Sequence, residues 1–185
     1  MPMSPQPIVT VYGGGRVEPT DPAYAEAESL GRLLAEAGYA VQTGGYAGTM
    51  EAASKGAKAA GGQVIGVTVG QFDRDGLRPN PYIDQIISFE SLSERLLHLV
   101  KASDASIALP GGLGTLSEVA LTWSLLQVAE VAPRPFILIG EQWGDLMRNF
   151  YGDGSYIREV DMHLWRVVRT PEQAVTLLRI WEAEA

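Results

Sequence analysis

The feature that most constrains this chain is where its short apolar runs stop. Ile8–Tyr12 runs into Gly13, Gly14 and Gly15. Tyr39–Gln42 runs into Thr43, Gly44 and Gly45, and Ala105–Leu109 into Pro110, Gly111 and Gly112. Short runs without polar alternation, closed by glycine, read as strands buried on both faces. Between them the period changes to that of a helix. Tyr24, Ala27, Leu30, Leu34 and Ala37 recur at three- and four-residue steps from Pro22 to Gly38, with Asp21 placed to cap the start. An alanine-rich helix is expected from Thr49 to Ala60 and a strand over Gln63–Val69. Phe72–Pro81 reads as a loop and Ile86–Phe89 as a short strand. Ser91 opens a helix on which Leu92, Leu96 and Leu99 are expected to be buried. A further helix is expected over Thr115–Val128, a strand over Phe136–Ile139 and a helix over Trp143–Phe150. Trp165–Val168 reads as the last strand. Thr170, Pro171 and Gln173 then open a final helix with a capping box.

Strand and helix alternate throughout, which predicts an α/β fold: a doubly wound, Rossmann-like parallel sheet flanked by helices on both faces. At 185 residues, with no repeat or linker, the chain reads as one domain, residues 1–7 forming a tail. Acidic residues outnumber basic ones, 22 to 14, for a net charge of −8. A general affinity for nucleic acid or anionic membrane needs the opposite balance, so neither is expected as a partner. There is no cysteine, which excludes disulfides, thiolate zinc sites and thiol nucleophiles. The proline-rich start lacks the basic and apolar segments of a secretory signal, and a cytoplasmic location is expected.

In such sheets ligands bind beyond the carboxyl ends of the strands. Three glycine turns meet that edge, and two lead straight into helices whose free N–H groups suit a phosphate. Such turns also occur for backbone reasons alone, but three on one edge favour a nucleotide or phosphate ligand. A dinucleotide site is disfavoured. The G-x-G-x-x-G pattern fails at Thr43 and again at Ser117, and no acidic residue follows at the ribose-binding distance. No Walker sequence is present. Glu118 has two readings: an acid stabilising the first turn of its helix, or a carboxylate facing a neutral or developing cationic part of a ligand, such as ribose C1′. Arg95 borders the core side of its helix, either reaching to water or meeting an anion in the cleft. His98 and His163 are expected in satisfied or surface roles, and Asp73, Asp75 and Asp84 as solvated loop charge rather than a metal cluster.

Pro110-Gly-Gly-Leu-Gly-Thr-Leu-Ser-Glu118 resembles the P-G-G-x-G-T-x-x-E motif of the LONELY GUY (LOG) family, cytokinin-activating phosphoribohydrolases. Gly44-Gly-Tyr-Ala-Gly-Thr-Met50 resembles that family's G-G-x-x-G-x-M turn, Val11–Arg16 its first turn, and Arg95 its catalytic arginine. The likeness runs from about Ile8 to Phe136. It implies a homodimer that cleaves a purine nucleoside 5′-monophosphate, AMP or N6-modified AMP, to base and ribose 5-phosphate without metal or redox cofactor. It further implies Glu118 and Arg95 as catalytic residues. Phosphate and nucleotide contacts would come from Gly13, Gly44, Gly45, Gly48, Thr49 and Met50, and from Pro110, Gly111, Gly112, Leu113, Gly114 and Thr115. The chain departs from the family at Thr43, Glu51, Leu96 and Ser117. The alternative is a non-catalytic nucleotide or molybdenum-cofactor carrier of the same fold. Lysine decarboxylation is rejected, because no lysine lies in a glycine turn to form a Schiff base.

Overall fold

The computed structural model describes residues 6–70, 72 and 76–184. Among these, strands and helices follow in the order β1 (Ile8–Tyr12), α1 (Pro22–Glu36), β2 (Ala40–Thr43), α2 (Thr49–Ala59), β3 (Val64–Val69), β4 (Gln85–Phe89), α3 (Leu92–Lys101), β5 (Ala105–Ala108), α4 (Leu113–Gln127), β6 (Phe136–Ile139), α5 (Glu141–Tyr151), α6 (Glu159–Met162), β7 (Arg166–Val168) and α7 (Pro171–Glu184). The strands form one sheet in the order β4-β3-β2-β1-β5-β6-β7, every pair parallel. The chain winds outward from β1 to β4, then returns to the other side of β1 with β5. The winding reverses between β1 and β5, where Tyr12 stands beside Ala108. This is the Rossmann-like α/β fold, and its switch point is where a crevice opens.

Alternate strand residues feed two cores. Val9, Val11, Val41, Ile107 and Ile137 pack under α1, α2 and α7. Tyr12, Ile65, Val67, Ala108 and Leu138 pack under α3, α4 and α5. Two glycines bring α1 and α2 together: a Cβ on Gly31 would collide with the Ala53 carbonyl, and one on Gly56 with the Glu28 carbonyl. Buried polar groups tie the centre. Thr10 Oγ1 donates to the Leu99 carbonyl at 3.1 Å and accepts from Gln42 Nε2 at 2.7 Å, which satisfies an orphan carbonyl in the last turn of α3. Tyr12 Oη lies 3.2 Å from both Ser106 Oγ and Thr122 Oγ1. Burial pushes its pKa up to about 12, keeping it a neutral phenol.

Several local expectations change. Leu92 is 50% exposed, not buried, because α3 packs through Arg95, Leu99 and Val100. Asp21 does not cap α1 by its side chain. It accepts from Glu18 N–H at 2.8 Å, fixing the preceding turn. Asp84 is not merely solvated, since it accepts from Val64 N–H at 3.0 Å and pairs with Lys58. The Nε2 of His98 is buried without a partner, its ring tilted against Phe89 at 5.0 Å, whereas His163 is exposed. The capping box of α7 is offset by one residue. Thr170 accepts from Gln173 N–H, but Gln173 Oε1 accepts from Arg169 N–H. The short helix α6 was not anticipated. Asp73, Asp75 and most of the N-terminal tail lie outside the described residues.

Candidate active site

The three glycine turns meet at the switch point because their backbones bind one another. Gly14 N–H donates to the Pro110 carbonyl at 3.2 Å, and the Gly14 carbonyl accepts from Thr49 N–H at 3.0 Å and Thr49 Oγ1 at 3.2 Å. Glycine is required where they touch. Gly48 has φ +73°, and a Cβ there would run into Gly14 and Gly15. A Cβ on Gly111 would run into Thr115 and the Gly14 nitrogen. Beside this junction lies a cleft of about 670 Å³. Gly13, Met50, Arg95, Gly112, Leu113, Gly114, Thr115 and Glu118 line it. Gly44, Gly45, Gly48, Thr49, Pro110 and Gly111 stand behind it and shape the turns.

One end of the cleft is the start of α4. Gly112 is the N-cap, with extended backbone and no side-chain cap. The N–H groups of Leu113, Gly114 and Thr115 therefore have no intrahelical partner. Leu113 is 81% exposed and Thr115 is buried. Because α4 begins at Leu113 rather than Thr115, Glu118 falls in the second turn, and the first turn holds no acid. Stabilisation of the helix dipole therefore does not account for it.

Glu118 is 9% exposed. Burial pushes its carboxyl up to about 7, with Arg95 pulling weakly the other way. Arg95, 7% exposed, donates from Nε to the Val67 carbonyl at 2.7 Å and from Nη2 to the Gly44 carbonyl at 2.9 Å. It does not reach for water. Its guanidinium is tied to β3 and to the turn that follows β2, 5.8 Å from the centre of the Tyr46 ring. A Cβ on Gly44 would overlap Arg95 Nη2 and crowd the Met50 sulfur at 2.6 Å, so both side chains would have to shift to admit one.

Four residues of this region were not singled out from the sequence. Tyr46 and Phe72 form an aromatic wall, their rings 5.6 Å apart and edge to face. The Tyr46 hydroxyl donates to the Val69 carbonyl at 3.1 Å and accepts from Val69 N–H at 3.0 Å. Asn80 latches its loop onto the same turn, its N–H donating to the Gly45 carbonyl at 2.9 Å and its Nδ2 to the Tyr46 carbonyl at 3.2 Å. Arg16 stands at the rim. Of these only Arg16, directly after a glycine turn, and Tyr46, inside one, carried a local signal. Among the described residues no group of three or more His, Cys, Asp or Glu could hold a metal ion, and no helix is long and apolar enough to cross a membrane.

Fold and site together define a Rossmann-like α/β protein with a glycine-walled cleft at its switch point. The chain belongs to the SLOG cluster4 family, a LOG-type family whose model matches residues 6–133. It is 35% identical over 109 residues to a probable cytokinin riboside 5′-monophosphate phosphoribohydrolase of Oryza sativa subsp. japonica, covering 55% of this chain and 42% of that one. It is 33% identical over 108 residues to a cytokinin riboside 5′-monophosphate phosphoribohydrolase of Mycobacterium marinum, covering 57% of each. The chain thus spans about half the length of these two curated relatives. The solved molybdenum cofactor binding protein of Rippkaea orientalis superposes with a TM-score of 0.74 at 30% identity, covering 94% of this chain and 96% of that one.

Proposed function

We propose that this protein is a phosphoribohydrolase that cleaves the N-glycosidic bond of a purine nucleoside 5′-monophosphate, AMP or N6-modified AMP. The observation that carries the reading is the placement of Glu118: a carboxylate buried on the wall of a cleft with an uncapped helix N-terminus at one end and an aromatic wall in the same lining. A phosphate at the start of α4 and a purine towards Tyr46, Phe72 and Met50 leave ribose C1′ beside the carboxylate. Ionised Glu118 then stabilises the oxocarbenium-like state and assists water. The water oxygen bonds to C1′, the C1′–N bond breaks, and a proton passes to the departing base, giving free base and ribose 5-phosphate. Arg95, locked on two carbonyls, orients the ribose or phosphate and favours the ionised carboxylate. The curated relatives named above support this reading.

Chromatography tests it: incubate the protein with AMP and its N6-isopentenyl analogue alongside Glu118→Gln. Free base from the wild type, lost in the variant, supports the hydrolase. The likeness to the cofactor binding protein favours a second reading, a carrier. In that case ligand raises the melting temperature and no base appears.

We further propose a homodimer through the groove between α4 and α5. Its lining, including Leu116, Ala120, Trp123, Leu146 and Phe150, carries no charged residue in a chain of net charge −8. Two like-charged copies can approach there without burying repelling groups. Exposed Leu113 continues the apolar surface to the mouth of the cleft.

A further inference from the structure

Three residues at the rim of the cleft have rigid backbones, and the fourth carries a free charge. The Gly13–Gly15 turn is fixed from both sides: Gly14 N–H is spent on Pro110, and the Gly14 carbonyl on Thr49. Gly48 packs closely on Gly14 and Gly15, leaving no room for a Cβ between them. Arg16 is the next residue, so its Cα is held at the rim while its long side chain stays exposed and lines the cleft. Among the described residues it has no hydrogen bond or ion pair. Lysines on the adjacent helix α2 behave differently: Lys55 pairs with Glu28 and Lys58 with Asp84. In a protein with 22 acidic side chains, a cation left unpaired at the rim is available to an incoming anion.

The other cation in the cleft can meet a ligand only from the wall and cannot close over it from the solvent side. Arg95 is buried and already spends Nε and Nη2 on the Val67 and Gly44 carbonyls, so it is a fixed part of the wall. Arg16 faces a cleft whose lining also includes the uncapped turn Gly112–Thr115. Backbone N–H groups bind a phosphate from within the fold but leave its outer oxygens in water. A guanidinium supplies paired donors that match such oxygens.

We propose that Arg16 is the specificity-determining residue for the phosphate. It closes over a dianionic phosphate monoester from the solvent side, so the cleft takes nucleoside monophosphates in preference to nucleosides. This rests on the reading of the cleft as a nucleotide site, but not on turnover.

Calorimetric titration of the 185-residue chain with AMP, ribose 5-phosphate and adenosine tests it, using wild type, Arg16→Gln and Arg16→Lys. Arg16→Gln weakens AMP and ribose 5-phosphate by about tenfold, the scale of one charge-assisted contact at a solvated rim, and leaves adenosine unchanged. Arg16→Lys restores part of the loss. The advantage of AMP over adenosine shrinks below pH ~6, where the phosphate gains its second proton. Equal AMP affinity in wild type and Arg16→Gln overturns the proposal, as does a parallel loss for adenosine. Base release is measured on the same samples to separate the two readings. Phosphate-dependent binding that needs Arg16, with no base released, sinks the hydrolase and keeps this inference. Base release with the same KM in wild type and Arg16→Gln does the reverse.

Discussion

Glu118 is costly to keep charged where it stands, and that cost has a sign. Its carboxyl is raised to about 7 in the folded protein, mainly by burial, against about 4.3 in an unfolded chain. A raised carboxyl contributes stability that is fully present below the unfolded value and is lost as pH rises through about 7, at roughly 1.4 kcal/mol per pH unit. Glu118→Gln, which cannot ionise, should therefore be more stable than wild type at pH 8 by about 3 kcal/mol. The advantage should vanish near pH 4.5, as read by urea denaturation at the two pH values. If the ionised carboxylate assists water, kcat/KM for AMP rises with pH along a limb centred near 7. A flat profile from pH 5.5 to 8.5 would remove Glu118 from the chemistry. Gly44 offers a second check. Gly44→Ala displaces Arg95 Nη2 from the Gly44 carbonyl, and we expect at least a tenfold loss in kcat/KM together with a lower melting temperature.

At the scale of elements, α1 and α2 pack where helix-interior glycines would otherwise be a liability of about 1 kcal/mol each. Gly31 and Gly56 offset that liability by letting backbone meet backbone. Gly56→Ala, which improves propensity, should instead destabilise by about 1–3 kcal/mol in urea denaturation, because the new methyl has no room. Helix α3 makes the converse point. Leu92 and Leu99 look equivalent in the periodic pattern, yet one is half exposed and the other fully buried. Leu99→Ala should cost about 2–5 kcal/mol and Leu92→Ala less than about 0.5, measured in the same assay. The two lie only about 20° apart around the helix, so the difference is one of position along it: Leu92 is its first residue, while Leu99 sits in the last turn, which packs into the core.

For the whole molecule, the open question is the α4/α5 surface. Light scattering coupled to size exclusion should give a dimer for the wild type and a monomer for Ala120→Arg, which sets a charge in the apolar groove. A monomeric wild type would end the dimer proposal without touching the cleft.

The strands, the three glycine turns and the doubly wound order were legible in the chain because each is a local matter. A short apolar run and a glycine that must bend or accept a close backbone write themselves into neighbouring residues. Glu118 and Arg95 were legible through the motifs around them. The start of α4 was not, because Gly112 caps it through extended backbone conformation rather than a capping side chain, and the two-residue difference moved Glu118 out of the first turn. Nor were Phe72 and Asn80, whose meeting with Tyr46 depends on a hydrogen bond and a ring contact between segments far apart in sequence. The sequence by itself determined which elements form and which turns can approach a ligand, since backbone sterics and periodicity act over a few residues. Only the tertiary structure decided which side chains face one another across the cleft, because burial, and with it the proton affinity of Glu118, exists only once the sheet has closed around it.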